Sequence, residues 1–121
     1  MEKDSCNIII IFGSTGDLTK RKLFPSLNGI YNSKKIPDNL KIIGCGRKEI
    51  EGDIFIDLID KISKSSEYIK VDPSNYEDFI TLSKKIRELV YNYRNVNIIY
   101  YLSTPPRAYL PIIKNLITNN L

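Results

Sequence analysis

Two glycines, Gly13 and Gly16, follow directly on the apolar run Ile8-Ile9-Ile10-Ile11-Phe12, and Asp17 and Leu18 come next. Glycines at such a point let a backbone turn tightly and come close to a ligand. When the turn opens a helix, its amide N–H groups and the positive end of the helix dipole suit a pyrophosphate. The spacing is Gly-x-x-Gly. Thr15 and Leu18 stand where the longer dinucleotide fingerprint would carry further glycines, so the position after a buried strand carries the assignment. Gly13, Ser14, Thr15, Gly16, Asp17, Leu18, Thr19 and Lys20 are therefore expected to bind a cofactor, against the alternative of a generic strand-to-helix turn.

Further along, Cys45-Gly46-Arg47-Lys48 stands where an NAD-type cofactor would ask for an acidic residue to accept from the ribose 2′-hydroxyl. A guanidinium and an ammonium there suit a 2′-phosphate, which points to NADP, with Arg47 and Lys48 as contacts. Ser103-Thr104-Pro105-Pro106 closes the last apolar run on the same side, and its two prolines fix a loop and offer one bond that can be cis. Tyr109 reaches the cofactor or simply packs. Asp17 is equally an ordinary first-turn carboxylate, and Lys20-Arg21-Lys22 is equally a solvated face or, at Lys22, a contact to an anionic substrate group.

The elements that must hold these residues alternate. Asn7 to Phe12 and Leu40 to Cys45 read as strands, the first buried on both faces as in a parallel sheet. Tyr68 to Val71 and Val96 to Leu102 read as two more. Helical spacing of apolar residues runs from Leu18 to Tyr31 with Pro25 inside it, from Ile54 to Ile62, from Tyr76 to Tyr93 and from Ala108 to Ile117. The order βαβαβαβα predicts a doubly wound, Rossmann-like parallel sheet with its ligand at the carboxyl ends of the strands. Such sheets commonly have five or six strands, so residues 1–121 are expected to be the N-terminal part of a nucleotide-binding domain that is incomplete at the C-terminus, without a catalytic or substrate domain.

Composition narrows the function. The 121 residues allow one modest domain, 42% of them hydrophobic and 26% charged, an ordinary globular balance. The 18 basic and 14 acidic residues give +4, enough for an anionic ligand and less than nucleic-acid binders usually carry, so no nucleic-acid partner is expected. Cys6 and Cys45 lack the spacing of a metal or dithiol motif, no metal is expected, and no apolar run approaches the length of a signal or membrane span. A cytoplasmic protein without a membrane partner follows. Histidine is absent, which removes the commonest general base near neutral pH.

These residues resemble the N-terminal portion of the glucose-6-phosphate dehydrogenase family at three places in order. Ile11-Phe-Gly-Ser-Thr-Gly-Asp-Leu-Thr-Lys-Arg-Lys-Leu-Phe-Pro25 is similar to the family's Gly-x-x-Gly-Asp-Leu-Ala-Lys fingerprint, with Thr19 in place of alanine. Ile43-Gly-Cys-Gly-Arg47 is similar to Val-Gly-x-x-Arg, and Tyr100-Tyr-Leu-Ser-Thr-Pro-Pro-Arg-Ala-Tyr109 to Tyr-Leu-x-x-Pro-Pro-x-x-(Tyr/Phe). The resemblance implies that Gly13 through Lys20 wrap the pyrophosphate of NADP, that Arg47 reads the 2′-phosphate, that Pro105, Pro106 and Tyr109 lie beside the nicotinamide, and that Lys22 lies near the sugar phosphate. It implies an enzyme of the pentose phosphate pathway that oxidises glucose 6-phosphate to the 6-phosphoglucono-lactone with hydride transfer to NADP. In that family a histidine–aspartate pair takes the proton, so this chain alone is expected to be inactive and monomeric, its parent a homo-oligomer. The alternatives are an extended short-chain reductase or epimerase, which would want a Tyr-x-x-x-Lys pair absent after Leu102, and a non-catalytic NADP-sensing module.

Overall fold

The apolar runs become β1 (Lys3–Phe12), β2 (Leu40–Gly46), β3 (Ser66–Lys70) and β4 (Tyr93–Leu102), all parallel, in the spatial order β3-β2-β1-β4. The computed structural model describes residues 3–14, 16, 19–33, 40–49, 51–59 and 66–121. β1 lies between two neighbours, and Ile8, Ile10, Ile11 and Phe12 are buried, as a continuous β-branched run with no polar face requires. Helices α1 (Phe24–Asn32), α2 (Glu51–Ile59), α3 (Tyr76–Val90) and α4 (Tyr109–Thr118) alternate with the strands.

One face of the sheet packs Ile11 and Ile42 against Phe24, Leu27, Phe55 and Ile59 of α1 and α2. The other packs Ile10, Phe12, Ile43 and Cys45 against Phe79, Leu82 and Ile86 of α3 and Ile112 and Leu116 of α4. Helices therefore cover both faces, and the fold is the expected doubly wound α/β type. Phe12 and Phe79 stack with ring centroids 5.9 Å apart, tying the central strand to the crossover helix. On the opposite face a Cβ at Gly44 would lie 2.8 Å from the Phe55 ring, so the bare backbone there lets α2 sit close on β2.

Several boundaries differ from those read off the sequence. The single helix expected from Leu18 to Tyr31 is a π-helical turn at Thr19–Leu23 followed by α1. Pro25 has no amide to give a carbonyl one turn back, and the wider turn ahead of it puts Pro25 in the first turn of α1, where that loss is tolerated. The Ser26 hydroxyl donates to the Lys22 carbonyl at 2.9 Å across the junction. α2 begins at Glu51 rather than Ile54, helped by the Gly52 amide donating to Glu49, and the expected end at Ile62 lies outside the described residues. β1 and β4 extend further toward their N-termini than their apolar runs, because Lys3 pairs with Tyr93. α4 is preceded by a 3-10 turn at Pro106–Ala108, and the bonds before Pro105 and Pro106 are trans, so the cis option is not used.

Among the described residues no strand pairs with the outer edge of β4. Ile99 on that strand is 62% exposed, and Leu110, Ile113 and Ile117 form an exposed stripe on α4.

Candidate functional site

Parallel strands end at one edge of the sheet. The register pairs Phe12 with both Cys45 and Leu102, and Cys45 with Ile69, so the four carboxyl ends are level. Over them opens a cleft of about 410 Å³, lined by Phe12, Gly13 and Gly16 after β1, Cys45, Gly46 and Arg47 after β2, Val71 to Ser74 after β3, and Ser103 to Pro105 after β4. This is the place where the chain order reverses direction across the sheet, between β1 and β4, and where such sheets hold ligands.

Gly13 stands at φ +80°. A Cβ there would collide with the carbonyl oxygen of Ser103 and lie 2.9 Å from its carbonyl carbon, so both conformation and space demand glycine. Four amides of the turn are engaged within the chain. Gly13 and Ser14 donate to the Cys45 carbonyl at 2.9 and 3.3 Å, Gly16 to Gly13 at 3.0 Å, and Lys20 to Gly16 at 3.1 Å. The expectation that the turn offers its amides freely is thus corrected for these four residues. Closing so tight a turn uses them.

Hydroxyls stand in the same neighbourhood. Thr19 is fully buried, and its Oγ1 lies 2.7 Å from both the Gly13 carbonyl oxygen and the Ser103 Oγ. A carbonyl only accepts, so Thr19 donates to Gly13 and Ser103 donates to Thr19. The buried Ser14 Oγ and Thr104 Oγ1 have no partner among the described residues. Buried polar atoms without partners are costly, and orphaned hydroxyls beside a cleft fit a ligand rich in acceptor oxygens.

Charge at the cleft is mixed. Arg47 and Arg107 are exposed cations on its lining. Tyr68 donates from its hydroxyl to the Lys48 carbonyl at 2.6 Å and anchors the loop that carries Arg47. Asp72 is the carboxylate of the lining. Its Oδ1 accepts from the Ser74 amide at 2.9 Å and hydroxyl at 2.8 Å. Those two bonds, with the charges of Arg47 and Lys70, hold its carboxyl below the ordinary value. Burial pushes the thiol of Cys45, on the lining, well up, and burial with Cys45 nearby pushes the Tyr100 phenol up to about 12. Both are neutral near pH 7, so neither serves as nucleophile or base. The arrangement suits an anion and offers little for proton transfer.

Of the residues named from the sequence, Gly13, Gly16, Arg47 and Pro105 line the cleft. Ser14 and Thr19 are buried beside it, while Lys20, Lys22, Lys48, Pro106 and Tyr109 are exposed outside its lining. Thr15, Asp17 and Leu18 lie outside the described residues. Asp72-Pro73-Ser74 reads as a turn in the sequence, but sequence reasoning did not assign it to the site. The rule that ligands gather at carboxyl ends applies to β3 as to the other strands and would have pointed there.

A family model described as "Glucose-6-phosphate dehydrogenase, NAD binding domain" matches residues 10–67 and 57–121. The glucose-6-phosphate 1-dehydrogenase of Aspergillus niger is 28% identical over 134 residues, covering 98% of this chain and 26% of the relative. That of Streptococcus pneumoniae is 31% identical, covering 94% and 26%, and that of Helicobacter pylori is 32% identical, covering 93% and 28%. Among solved structures, a glucose-6-phosphate dehydrogenase in complex with its substrate glucose-6-phosphate superposes with a TM-score of 0.80 at 24% identity, over 100% of this chain and 29% of that one. The glucose-6-phosphate 1-dehydrogenase of Mycobacterium avium gives 0.72 at 24% identity, over 99% and 28%, and both likenesses show the fold. The chain spans about a quarter of the length of the curated relatives it matches.

Proposed function

The chain belongs to the glucose-6-phosphate dehydrogenase family as its nucleotide-binding domain, and from that premise we propose that it is the NADP-binding portion of an enzyme that oxidises glucose 6-phosphate to the 6-phosphoglucono-lactone. The observation that carries the choice of coenzyme is Arg47, an exposed cation on the cleft at the end of β2, where NAD-selective sheets place a carboxylate.

The residues present fit the coenzyme. Gly13 and Gly16 line the cleft without side chains, Ser14 and Thr104 carry hydroxyls without partners among the described residues, and Arg47 and Arg107 supply positive charge. In this reading the Gly13–Lys20 turn and Thr104 bind the pyrophosphate side, Arg47 and Lys48 the 2′-phosphate, and Pro105, Pro106 and Tyr109 border the nicotinamide. Bound NADP supplies a nicotinamide ring that accepts the hydride from C1 of the sugar. The proton of the C1 hydroxyl goes to a base outside this chain, which has no histidine. Lys22, exposed on the π-helical turn, is assigned to the sugar-phosphate side.

The exposed Ile99 and the Leu110, Ile113 and Ile117 stripe support reading the chain as one part of a larger domain, in a parent that is a homo-oligomer. No helix among the described residues is long and apolar enough to cross a membrane, and the assignment to the cytoplasm rests on the two buried free thiols.

Calorimetric titration of the chain with NADP and NAD tests this reading. NADP is expected to bind more tightly, and Arg47→Ala to weaken NADP about tenfold or more while leaving NAD nearly unchanged, the value of a charge-assisted contact to phosphate. Equal affinities in the unsubstituted chain overturn the choice of NADP.

A further inference from the structure

Asp72 is the one carboxylate among the described residues that line the cleft, against the two cations Arg47 and Arg107. Strand register sets it beside Arg47. Gly46 pairs with Lys70, and the Val71 amide donates to the Gly46 carbonyl at 2.8 Å, so Arg47 comes level with the start of the Asp72 turn as both chains leave the sheet. The hydrogen bonds to the carboxylate come from Ser74, and Arg47 acts on it through charge.

The carboxylate is also fixed in place. Its backbone amide donates to Asp78 Oδ2 at 2.9 Å in the first turn of α3, and Asn115 of α4 donates to the neighbouring Pro73 carbonyl at 3.0 Å. With Oδ1 held by Ser74 as well, the group stays near Arg47 when an anion enters. On the coenzyme reading above, that anion is the 2′-phosphate. Neighbouring strands lie about 4.8 Å apart, so carboxylate and phosphate fall within about one Debye length, roughly 8 Å at physiological salt. NAD has an uncharged hydroxyl in place of the phosphate, and the repulsion therefore falls on NADP alone.

We infer that Asp72 is a specificity-determining residue that works against Arg47: its charge repels the 2′-phosphate, so the domain prefers NADP over NAD by less than Arg47 alone would set. The inference rests on the NADP reading of the same cleft.

The test is titration of the unsubstituted chain, Asp72→Asn and Asp72→Ser with NADP and NAD, in low salt and in about 1 M salt, where the Debye length is about 3 Å. Asparagine and serine both keep an oxygen for the Ser74 amide and remove the charge. At low salt the ratio of NADP to NAD affinity is expected to rise about three- to fivefold in both variants. In about 1 M salt the gain should fade to within about 1.5-fold. Contacts to parts that the two coenzymes share cancel in this ratio, and a merely structural role would leave it unmoved. A ratio unchanged or lowered in the variants, or a gain that salt does not diminish, overturns the inference. If the unsubstituted chain prefers NADP in that case, the coenzyme reading survives alone. If it binds the two equally, or neither, both fall. Either variant decides if the other does not fold.

Discussion

The hydroxyls of Thr19 and Ser103 lie 2.7 Å apart in the buried floor beside the cleft, although 84 residues separate them in the chain. Through this contact the π-helical turn after β1 is fastened to the end of β4, and the Gly13 carbonyl is drawn into the same knot. Thr19 donates to the Gly13 carbonyl, and the Ser103 hydroxyl has its acceptor in Thr19.

Removing one should therefore hurt more than removing both would suggest. Thr19→Val keeps the shape and leaves the Ser103 hydroxyl without its acceptor, and is expected to destabilise by about 1–3 kcal/mol. Thr19→Ser should restore most of the loss. The double variant Thr19→Val, Ser103→Ala should cost less than the two single changes summed, as read by urea unfolding.

Gly13 and Gly29 make a matched pair of opposite sign. Gly13→Ala forces a side chain into a positive φ and against the Ser103 backbone, with an expected loss of at least about 2 kcal/mol and of nucleotide binding. Gly29 sits inside α1 with open space around it, and Gly29→Ala should gain about 0.5–1 kcal/mol with binding unchanged. Thermal melts and titration of the same two samples check both.

Tyr68 positions rather than touches. Its hydroxyl holds the Lys48 carbonyl, and its ring packs where a Cβ at Gly52 would come within 2.9 Å, so the loop bearing Arg47 is pinned between β3 and α2. Tyr68→Phe keeps the ring and is expected to lose about 0.5–1.5 kcal/mol of stability. Its preference for NADP over NAD should fall about two- to fivefold, while NAD affinity itself hardly changes.

Asp72 gives the stability a pH dependence of known sign. Its folded-state pKa lies below the ordinary 3.8 because Ser74, and after it Arg47 and Lys70, favour the ionised form. The stabilisation is complete above the unfolded value and is lost as pH falls through the folded one. Denaturant unfolding from pH 7 down to about pH 2 should show Asp72→Asn less stable near neutrality and converging with the unsubstituted chain below about pH 4.

Much of the architecture was legible locally. Ile8 to Phe12 announces a doubly buried strand, apolar residues at helical spacing announce α3, and Gly13, Gly16 and Arg47 fall where strands hand over to helices. These signals work because strand and helix periods impose themselves on neighbouring residues. Pro25 was visible too, but a proline tells only that a helix must adjust there. The π-helical turn, with Pro25 then inside the first turn of α1, is how this one does so.

The sequence by itself determined the alternation of elements, the burial of β1, the glycine turn and the cation after β2, since each is written in adjacent residues. Tertiary structure alone decided the order β3-β2-β1-β4, and with it the pairing of Thr19 with Ser103, the use of the turn amides within the chain, and the place of Asp72 beside Arg47. Those contacts join residues whose meeting depends on how crossover connections stack strands in space, and no local periodicity encodes which strand ends become neighbours.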